Sequence, residues 1–424
     1  MTLHSTSRKS LQSHVHRWLD ETFLALKTRN FRLFFIGQTI SNTGNWLTRV
    51  ALILLVLKLT GSGFAVGIVT ACEFLPLLLL SAAAGAMADS VDKRKMLLVT
   101  QALEMVQSLA LALVAFLPNP PLYALYLLAL LGGILLAADN PLRRSFVTEM
   151  VPAEAIPNAV VLYSTIVNLS RVFGPTLAGL FITLFGYGPA FAIDAASYIA
   201  VIACLFAMRP GDLFREASTG RKPKAVRAGL AYVRTQRRLW SSLAMMLAIG
   251  IFAYNLNVTL PLFVHRTLNG SDATFTILYS LFSAGSLIGG LVVANRSLVA
   301  IRHILAAACG MGVSLVTFSF TSDVVTAAIV MFLSGMVTIV YMTSTTAIIQ
   351  VEARRDMHGR VLALQAVVMG ASRVVGGPAL GTLSDMAGAR IPFVVGGIAC
   401  LVAAVFGFLV NRRFADTADC SDRA

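Results

Sequence analysis

Charged side chains stand inside long apolar stretches of this sequence, where a charge is costly. Near the middle of their stretches lie Glu73, Glu104, Arg171 and Arg373. Toward the outer side lie Arg49 and Asp194, and near the inner end lies Asp139. If the stretches cross a membrane, each of these residues is a functional candidate, because ionised groups in hydrocarbon mark pairs, proton relays or substrate paths. Carboxyls in such places are suited to carrying protons, and arginines to pairing with carboxylates.

Glu73 is our first choice for a proton carrier, since removal from water favours the protonated form of a carboxyl. Asp139, Asp194 and Glu104 are further candidates. A permanent ion pair with one of the arginines is an equally good interpretation for Glu73, and it is the favoured one for Glu104.

Two of the arginines begin a repeated pattern. Arg171 precedes the pair Gly174-Pro175, and about 200 residues later Arg373 precedes the pair Gly377-Pro378. This period is far too long for a solenoid repeat, so it indicates a chain built from two similar halves, as in transporters with a site between two movable parts. Glycine permits close helix approach and proline removes a backbone hydrogen bond, which makes these residues conformational candidates.

The composition is that of an integral membrane protein. Hydrophobic residues make up 57% of the 424 residues, charged residues make up 13%, and the mean hydropathy is +0.78. Too little polar surface remains for a soluble globule. The net charge of +14 does not indicate nucleic-acid binding, because the basic residues recur between apolar runs and form no patch with interleaved aromatics.

The sequence carries no motif of an enzyme, a metal centre or a cofactor site. Its five cysteines lack CxxC spacing, and no HExxH, P-loop or GxSxG pattern occurs. We therefore expect no enzymatic activity, no cofactor and no bound metal.

Twelve apolar runs are long enough to cross about 30 Å of hydrocarbon. They lie at 33–57, 64–88, 96–117, 122–142, 159–184, 189–209, 239–264, 274–294, 303–321, 324–348, 361–385 and 391–411. Turn signals at 118–121 and 186–188 separate the closest pairs. Together with the repeat, these runs predict an all-α membrane protein with two pseudo-symmetric six-helix halves.

Basic residues fall mainly on one side of the predicted spans. With the N-terminus inside, 28 of the 34 lysines and arginines lie in inner segments, three in outer loops and three within spans. By the positive-inside rule both termini are expected in the cytoplasm. The expected organisation is a leader with an amphipathic helix at 1–32, halves at 33–209 and 239–411, a basic cytoplasmic linker at 210–238 and a tail at 412–424.

The inner loop after the second span has the pattern of a gate. Gly85 is followed by Asp89 and then by Lys93 and Arg94. An aspartate at a helix end pairs with cations or with a facing helix N-terminus in one conformation and loses that partner in another. The pattern resembles the signature loop of the major facilitator superfamily. An ordinary inner loop would account for the basic residues but not for Asp89.

The resemblance to efflux members of that superfamily covers nearly the whole chain. The segments 30–33, 37–41 and 139–141 look like the branch that contains enterobactin-exporter-like and macrolide-efflux-like proteins, and Gly174-Pro175 is similar to the antiporter motif. One position departs from the pattern: where relatives often carry an aspartate in the first helix, this chain has Asn45, which cannot titrate.

The resemblance implies that spans one, four, seven and ten line a central cavity. Candidates for substrate contact in or near this cavity are Asn42, Asn45, Arg49, Tyr254, Asn255, Asn257, Tyr341, Thr343 and Thr345. Hydroxyl side chains in membrane helices also bond across to a neighbouring helix, so a structural role for the threonines stays open. The small number of formal charges in this set would suit an amphiphilic, moderately polar substrate.

These features predict a secondary transporter of the drug:proton antiporter type that exports a small amphiphilic molecule, a siderophore or a drug. We expect it in the bacterial cytoplasmic (inner) membrane, as a monomer, with its substrate, protons and membrane lipid as partners. An importer or an uncoupled facilitator of the same fold is the alternative. A non-transporting sensor or scaffold is less favoured, because no sizeable soluble domain is visible.

Overall fold

Fourteen α-helices and short connections make up the computed structural model, which describes residues 22–214, 225–294, 301–354 and 357–421. The predicted leader helix falls mostly on residues 1–21, outside the described part. The helices are α1 (Arg29–Thr60), α2 (Gly63–Ser90), α3 (Lys93–Ala115), α4 (Leu122–Glu149), α5 (Ile156–Phe185), α6 (Tyr187–Ala207), α7 (Ala225–Thr235), α8 (Arg237–Ala253), α9 (Leu256–Arg266), α10 (Asp272–Ala294), α11 (Ile301–Ser319), α12 (Val324–Glu352), α13 (His358–Ala387) and α14 (Ile391–Ser421).

The described chain contains 12 helical segments long and apolar enough to cross a membrane. Each predicted span corresponds to one of them, which confirms the number of spans and the all-α fold. The helices α8 and α9 together form one segment, Arg237–Arg266. The remaining helix, α7, has 11 residues and is too short to cross about 30 Å of hydrocarbon at 1.5 Å per residue.

Tight turns between spans depend on glycine. Gly61 after α1, Gly186 after α5 and Gly388 after α13 have φ angles of 61°, 84° and 98°. These angles lie in a region that side chains with a Cβ rarely adopt, and a glycine there ends a helix and reverses the chain within a few residues. The turn predicted at 186–188 therefore reduces to one residue, since α6 begins at Tyr187.

The seventh predicted span is interrupted, which its continuous apolar sequence did not indicate. Asn255 lies between α8 and α9, and its side-chain amide donates to the Ile251 carbonyl at 2.9 Å and to the Gly250 carbonyl at 3.2 Å. An amide that occupies helical carbonyls in this way competes with the backbone ladder. Pro261, one turn into α9, supplies no N–H to the ladder either.

The fourth predicted span ends too early. The sequence places its end at residue 142 and assigns Arg143 to an inner loop, whereas α4 continues to Glu149. Arg143 is a helix residue with a side chain only 6% exposed. The helix continues because Arg143 finds its counter-charge one turn earlier, on Asp139, so its charge does not force the chain out of the bundle.

The two halves repeat the same packing. In the first, α1 packs against α5 and α6, α2 against α4, and α3 against α6. In the second, α8 packs against α13 and α14, α10 against α12, and α11 against α14. The halves meet mainly through α2 on α13 and through α5 on α10, so each contributes the corresponding pair of helices to the interface.

Alternating helix directions give the bundle two ends. We call the end with the connections 61–62, 186 and 388–390 the distal face, and the end with residues 22–28, 91–92, 208–214 and 225–236 the linker face. One hydrophobic cluster near the distal face includes residues of both halves, such as Leu54, Val66, Phe263 and Phe275. At the linker face each half has its own cluster, one within residues 25–213 and one within residues 233–364. The conformation is therefore closed at the distal face.

Glycines let α2 and α13 approach closely. A Cβ added to Gly63 would lie 2.6 Å from the carbonyl oxygen of Gly381, and a Cβ added to Gly67 would lie 2.6 Å from the Cα of Pro378. Neither distance is compatible with a side chain, because the atoms it would meet belong to rigid backbone. Backbone contact between the halves thus extends over about one turn of α2 below the distal face.

A carboxylate of one half caps a helix of the other. Asp385, near the end of α13, accepts hydrogen bonds from the backbone N–H groups of Gly63 at 2.8 Å and Phe64 at 3.0 Å. It also accepts from the Ser62 hydroxyl at 2.7 Å and from Arg266 at 2.7 Å. A negative charge at a helix N-terminus satisfies unpaired donors and the helix dipole. Asp385 therefore holds the distal face closed.

Further hydrogen bonds join the halves beside this cap. The Tyr187 hydroxyl of α6 donates to Asp272 of α10 at 2.7 Å, and His265 of α9 lies 2.8 Å from the other Asp272 oxygen. Deeper, the Thr176 hydroxyl of α5 donates to Ser280 of α10 at 2.5 Å. The distal interface thus combines polar bonds with apolar and glycine packing.

Gly67→Ala is expected to open the distal face, because the new Cβ would collide with the backbone of α13. Overpacking of this kind costs about 1–3 kcal/mol. The distance between spin labels at 119 and 320, in a variant without the native cysteines, should lengthen. Gly85→Ala on the same helix is the control, since a Cβ there meets nothing within 4 Å. Equal distances in both variants would contradict the packing described here.

Asp385→Asn is expected to weaken the same closure by removing the charge from the cap. A loss of about 1 kcal/mol would shift the ratio of closed to open molecules about fivefold. The same pair of spin labels reports the shift. Asp323→Asn is the matched control, because Asp323 caps α12 within its own half, at 2.8 Å from the Thr326 nitrogen. A shift as large in the control would show that the effect is not specific to the interface.

Candidate functional site

A cavity of about 220 Å³ lies within the first half, among α1 to α6. Its lining includes the predicted site residues Asn42, Asn45, Arg49, Glu73, Glu104, Asp139, Arg171 and Asp194. Pockets for drug-sized ligands usually measure about 300–1,000 Å³, so this cavity takes a polar group or a small fragment of a larger molecule. The first half therefore concentrates the charged candidates around one space.

A buried polar network forms one wall of the cavity. Arg143 of α4 contacts Asp139 in an ion pair one turn apart and lies 3.3 Å from Glu104 of α3. Gln101 donates to Glu104 at 2.8 Å and to Asp139 at 3.0 Å. Gln38 of α1 accepts from Arg143. The side chains of Arg143, Glu104 and Asp139 are 6%, 9% and 2% exposed, so one guanidinium serves two carboxyls away from water.

Asp194 of α6 is fully buried and is held by hydroxyl groups. Thr48 donates to it at 2.5 Å and Ser108 at 2.7 Å. Gly44 of α1 leaves the necessary room, because a Cβ there would lie 2.5 Å from an Asp194 oxygen. Next to it, Tyr198 donates to Asn45 at 2.7 Å. Asn45, the position that departs from the family pattern, thus serves as a hydrogen-bond acceptor.

These buried groups carry surplus negative charge. Among the described residues, the recorded ion pairs of Arg143 involve Asp139 and Glu104, and Asp194 has no cation within ion-pair distance. Two carboxyls thus share one guanidinium and the third has hydroxyl partners, so full ionisation of all three would leave two negative charges without a counter-ion. Unpaired charge in a low-dielectric interior costs several kcal/mol per ion.

Glu73 of α2 has its own partner. The Nε of Arg49 donates to Glu73 Oε1 at 2.8 Å, and a second guanidinium nitrogen contacts the same oxygen. The side chains are 28% and 19% exposed, because both face the cavity. Of the two interpretations offered for Glu73, the geometry favours the ion pair, with Arg49 as the arginine.

Arg171 and Arg373 lie on opposite halves at similar depth. Arg171 of α5 is exposed to the cavity, while Arg373 of α13 stacks on Phe74 with its guanidinium 4.4 Å from the ring centre. The Gly174-Pro175 pair that follows Arg171 is buried, and Gly174 accommodates the Trp46 ring. Pro378 lies where α13 meets Gly67. The repeated pattern thus places equivalent residues at the interface of the halves.

The basic residues of the predicted gate loop contact only their own half in the bonds that the structure describes. Lys93 pairs with Glu149 of α4, and Arg94 donates to the carbonyls of Leu205 at 2.9 Å and Phe206 at 3.3 Å. A Cβ on Gly85 would meet nothing within 4 Å. The side chain of Asp89 lies outside the described part of the structure. The gate role of this loop stays a prediction.

The candidates in the second half do not line the 220 Å³ cavity. Tyr254 and Tyr341 face each other with ring centres 6.5 Å apart, and Thr345 is buried on the same helix as Tyr341. Asn255 forms the break before α9, Asn257 is half-buried and Thr343 is exposed. The structure therefore gathers Asn42, Asn45 and Arg49 around one space but leaves these six candidates in a separate, uncharged region.

Sequence reasoning missed several members of the buried network. They are uncharged or were placed in a loop: Gln38, Thr48, Gln101, Ser108 and Arg143. The spacing of Asp139 and Arg143, one helical turn, was the available signal for the arginine. No comparable signal marks the glutamines, because their importance comes from contacts between helices. In the described part of the chain no group of three or more His, Cys, Asp or Glu side chains forms a metal site.

Known proteins with similar sequences are transporters. The staphyloferrin A transporter of Staphylococcus aureus is 24% identical over 388 residues, which cover 90% of this chain and 96% of that protein. Macrolide efflux protein A of Streptococcus pyogenes is 24% identical over 405 residues, which cover 91% and 98%. The aligned residues extend over both halves of the bundle and include the helices that line the cavity.

The fold is also that of a solved transporter. A bacterial homologue of the human lysosomal transporter Spinster, in an inward-facing and occupied conformation, superposes with a TM-score of 0.72 over 90% of this chain and 96% of that chain, at 16% identity. A family model described as transmembrane secretion effector matches residues 21–424. The twelve spans, the paired halves and this match together show that the chain is a multi-pass membrane protein and belongs to the transmembrane secretion effector family of major facilitator transporters.

Proposed function

We propose that this transporter exports a small amphiphilic organic molecule across the bacterial cytoplasmic membrane in exchange for protons. The names of two similar proteins support the direction and the type of cargo, since one transports staphyloferrin A and the other is a macrolide efflux protein. A siderophore-like or drug-like molecule is accordingly the expected cargo, and the monomer is the expected working unit, since both halves of the site belong to one chain.

The observation that carries the coupling is the surplus of carboxyls beside the cavity. Glu104 and Asp139 share Arg143 as their cation, and Asp194 has hydroxyl partners alone. Keeping all three ionised would be costly when water is excluded, so we infer that part of the group is protonated in that state. When the cavity is hydrated, ionisation becomes less costly and a proton can leave. A conformational change that alternates hydration of the cavity therefore also alternates proton affinity.

The proposed proton carriers therefore differ from the first choice made from the sequence: they belong to the buried network and do not include Glu73. Glu73 already has Arg49 within ion-pair distance, so its charge is balanced without a proton. Asp194 has only hydroxyl donors, and Glu104 shares its cation with Asp139. We therefore propose Glu104 and Asp194 as the principal proton sites, with Asp139 fixing Arg143 between them.

Alternating access fits the arrangement of hydrophobic clusters. The halves are joined by one cluster near the distal face and have separate clusters at the linker face. If the linker face is cytoplasmic, as its basic residues indicate, the present conformation faces inward. Rocking of the halves about the central site would break the Asp385 cap and close the linker face.

Removal of either principal carboxyl is expected to uncouple transport from the proton gradient. In proteoliposomes with an imposed pH gradient and a panel of radiolabelled siderophores and macrolides, the wild type should accumulate at least one compound against its gradient. Glu104→Gln and Asp194→Asn should lose at least tenfold in this accumulation. Both should retain exchange of labelled for unlabelled compound, because exchange requires no proton release.

Glu154→Gln is the control for this experiment, since Glu154 is exposed at the linker face. It should accumulate the compound as the wild type does. If accumulation by Glu104→Gln and Asp194→Asn still follows the imposed gradient, the network does not carry the coupled proton. Accumulation driven by an inward proton gradient would instead indicate that substrate and proton move in the same direction and would support an importer.

The proposed orientation predicts which face reacts with reagents outside the cell. In a variant without native cysteines, a cysteine at position 119 on the distal face should react with a membrane-impermeant maleimide in intact cells. A cysteine at position 154 on the linker face should react only after permeabilisation. The reverse pattern would place the linker face outside and would contradict export by the mechanism described.

A further inference from the structure

The middle of the interface between the halves carries positive charge that the described residues do not neutralise. Arg49, Arg171 and Arg373 face one carboxylate, Glu73, and electrostatic interactions connect Arg373 with each of the other three. All four also interact with Tyr279 of α10. They lie about 15–21 Å along their helices from the distal face at 1.5 Å per residue, which is the middle of a membrane about 30 Å thick.

Glu73 does not balance this group, because its charge is already engaged. Both contacts of Arg49 are made to a single oxygen of Glu73. Among the residues that the structure describes, no carboxylate lies within ion-pair distance of Arg171 or Arg373. Two guanidinium groups, one from each half, thus remain without an anionic partner at a depth where such a partner is required.

The acidic groups of the same cavity do not supply it. Asp139 and Glu104 are bound to Arg143, and Asp194 is surrounded by hydroxyls. The two kinds of charge are therefore separated: the acidic network lies among α3, α4 and α6, and the basic cluster (Arg49, Glu73, Arg171 and Arg373) lies at the junction of α1, α2, α5 and α13. Arg49, Glu73 and Arg171 line the cavity, and Arg373 approaches them from α13. A mobile anion entering the cavity would be attracted to the basic cluster and repelled by the network.

Aromatic rings surround the basic cluster. The guanidinium of Arg49 lies 5.5 Å from the centre of the Trp46 ring and 5.8 Å from that of Phe74, and Trp46 lies 5.9 Å from Tyr279. Cation–π contacts hold the guanidinium groups in place but leave their charge and most of their N–H donors unsatisfied. Rings next to arginines form a site for a molecule with an anionic group and an apolar or aromatic body.

We propose that Arg171 and Arg373 bind the carboxylate of an organic anion, so that the exported substrate is an amphiphilic carboxylate held between the two halves. The proposal rests on the proposed function and names the substrate class. Arginine is suited to the task, because its planar fork matches a carboxylate. A carboxylate bound to an arginine of each half neutralises the charge that would oppose closure of the halves. Glu73 competes with such a ligand for the arginines. Its ion pair with Arg49 also reduces the net positive charge of the site.

The experiment compares two ligands that differ in charge alone. Calorimetric titration of the purified full-length protein, in nanodiscs of phosphatidylcholine, measures binding of naphthalene-1-acetate and of its neutral amide, naphthalene-1-acetamide. The acetate is expected to bind at least tenfold more tightly. Arg171→Met and Arg373→Met should each remove this preference and leave the amide unchanged. Arg144→Met, an exposed arginine of α4 outside the site, should keep it.

Glu73→Gln provides a test of opposite sign. Loss of the competing carboxylate frees Arg49, so this variant should bind the acetate severalfold more tightly than the wild type does. Thermal unfolding without ligand is the second measurement, and Arg373→Met should be at least as stable as the wild type, because it removes an unneutralised cation. A purely structural arginine would instead lower the melting temperature when replaced and leave the ligand preference intact, which would overturn the proposal.

Two further results would overturn it. Equal binding of the acetate and the amide by the wild type would show that charge is not recognised. Loss of acetate binding in discs of phosphatidylglycerol would assign the arginines to an anionic lipid headgroup and not to a soluble carboxylate. Because these titrations use no gradient, they are independent of proton coupling, and a failed transport assay would leave their outcome unaffected.

Discussion

Charge buried in hydrocarbon has to be neutralised, and this constraint accounts for most of the site. The bundle satisfies it in three ways: by pairing Arg49 with Glu73, by placing Asp194 among hydroxyl groups, and by letting Arg143 serve two carboxyls. Each solution draws its members from different helices, so the charges also fix how α1, α2, α3, α4 and α6 pack. The same residues thus determine the packing of the first half and line its cavity.

The asymmetry between the halves follows from this arrangement. The first half contains the acidic network and three of the four charged residues of the basic cluster, whereas the second-half candidates are tyrosines, asparagines and threonines that do not line the cavity. The second half contributes Arg373, the Asp385 cap and the broken helix pair α8 and α9. Ionisable side chains are therefore concentrated in one half, and the other half packs against it at the distal face.

Much of the fold could be predicted from the sequence, because lipid imposes a simple rule of about 20 apolar residues per span. The number of spans followed from this rule, and the two-fold repeat followed from the recurrence of an arginine before Gly174-Pro175 and Gly377-Pro378. The end of α4 did not, since Arg143 looks like a loop residue until its pairing with Asp139 is seen. The break at Asn255 also escaped prediction, because the surrounding sequence is continuously apolar and only the side-chain bonds to Gly250 and Ile251 show it.

The sequence predicted which residues belong to the candidate site, but it did not predict which of their side chains are in contact. The charged candidates were visible as polar interruptions of apolar runs, yet which arginine meets which carboxyl depends on helix packing that no local pattern encodes. The sequence did not identify Asp385 as a candidate, because charged residues are common where a span meets water. Its bonds to Gly63 and Phe64 nevertheless join the halves.

The separate cluster within residues 25–213 has a consequence for biogenesis. Every buried residue of this cluster lies between Ala25 and Met208, before the linker, so the ribosome completes the first half's linker-face core before any helix of the second half has been made. Domains generally fold as units, the N-terminal one first during synthesis. The first half can therefore settle in the membrane with its own apolar contacts satisfied and serve as the template on which the later helices assemble.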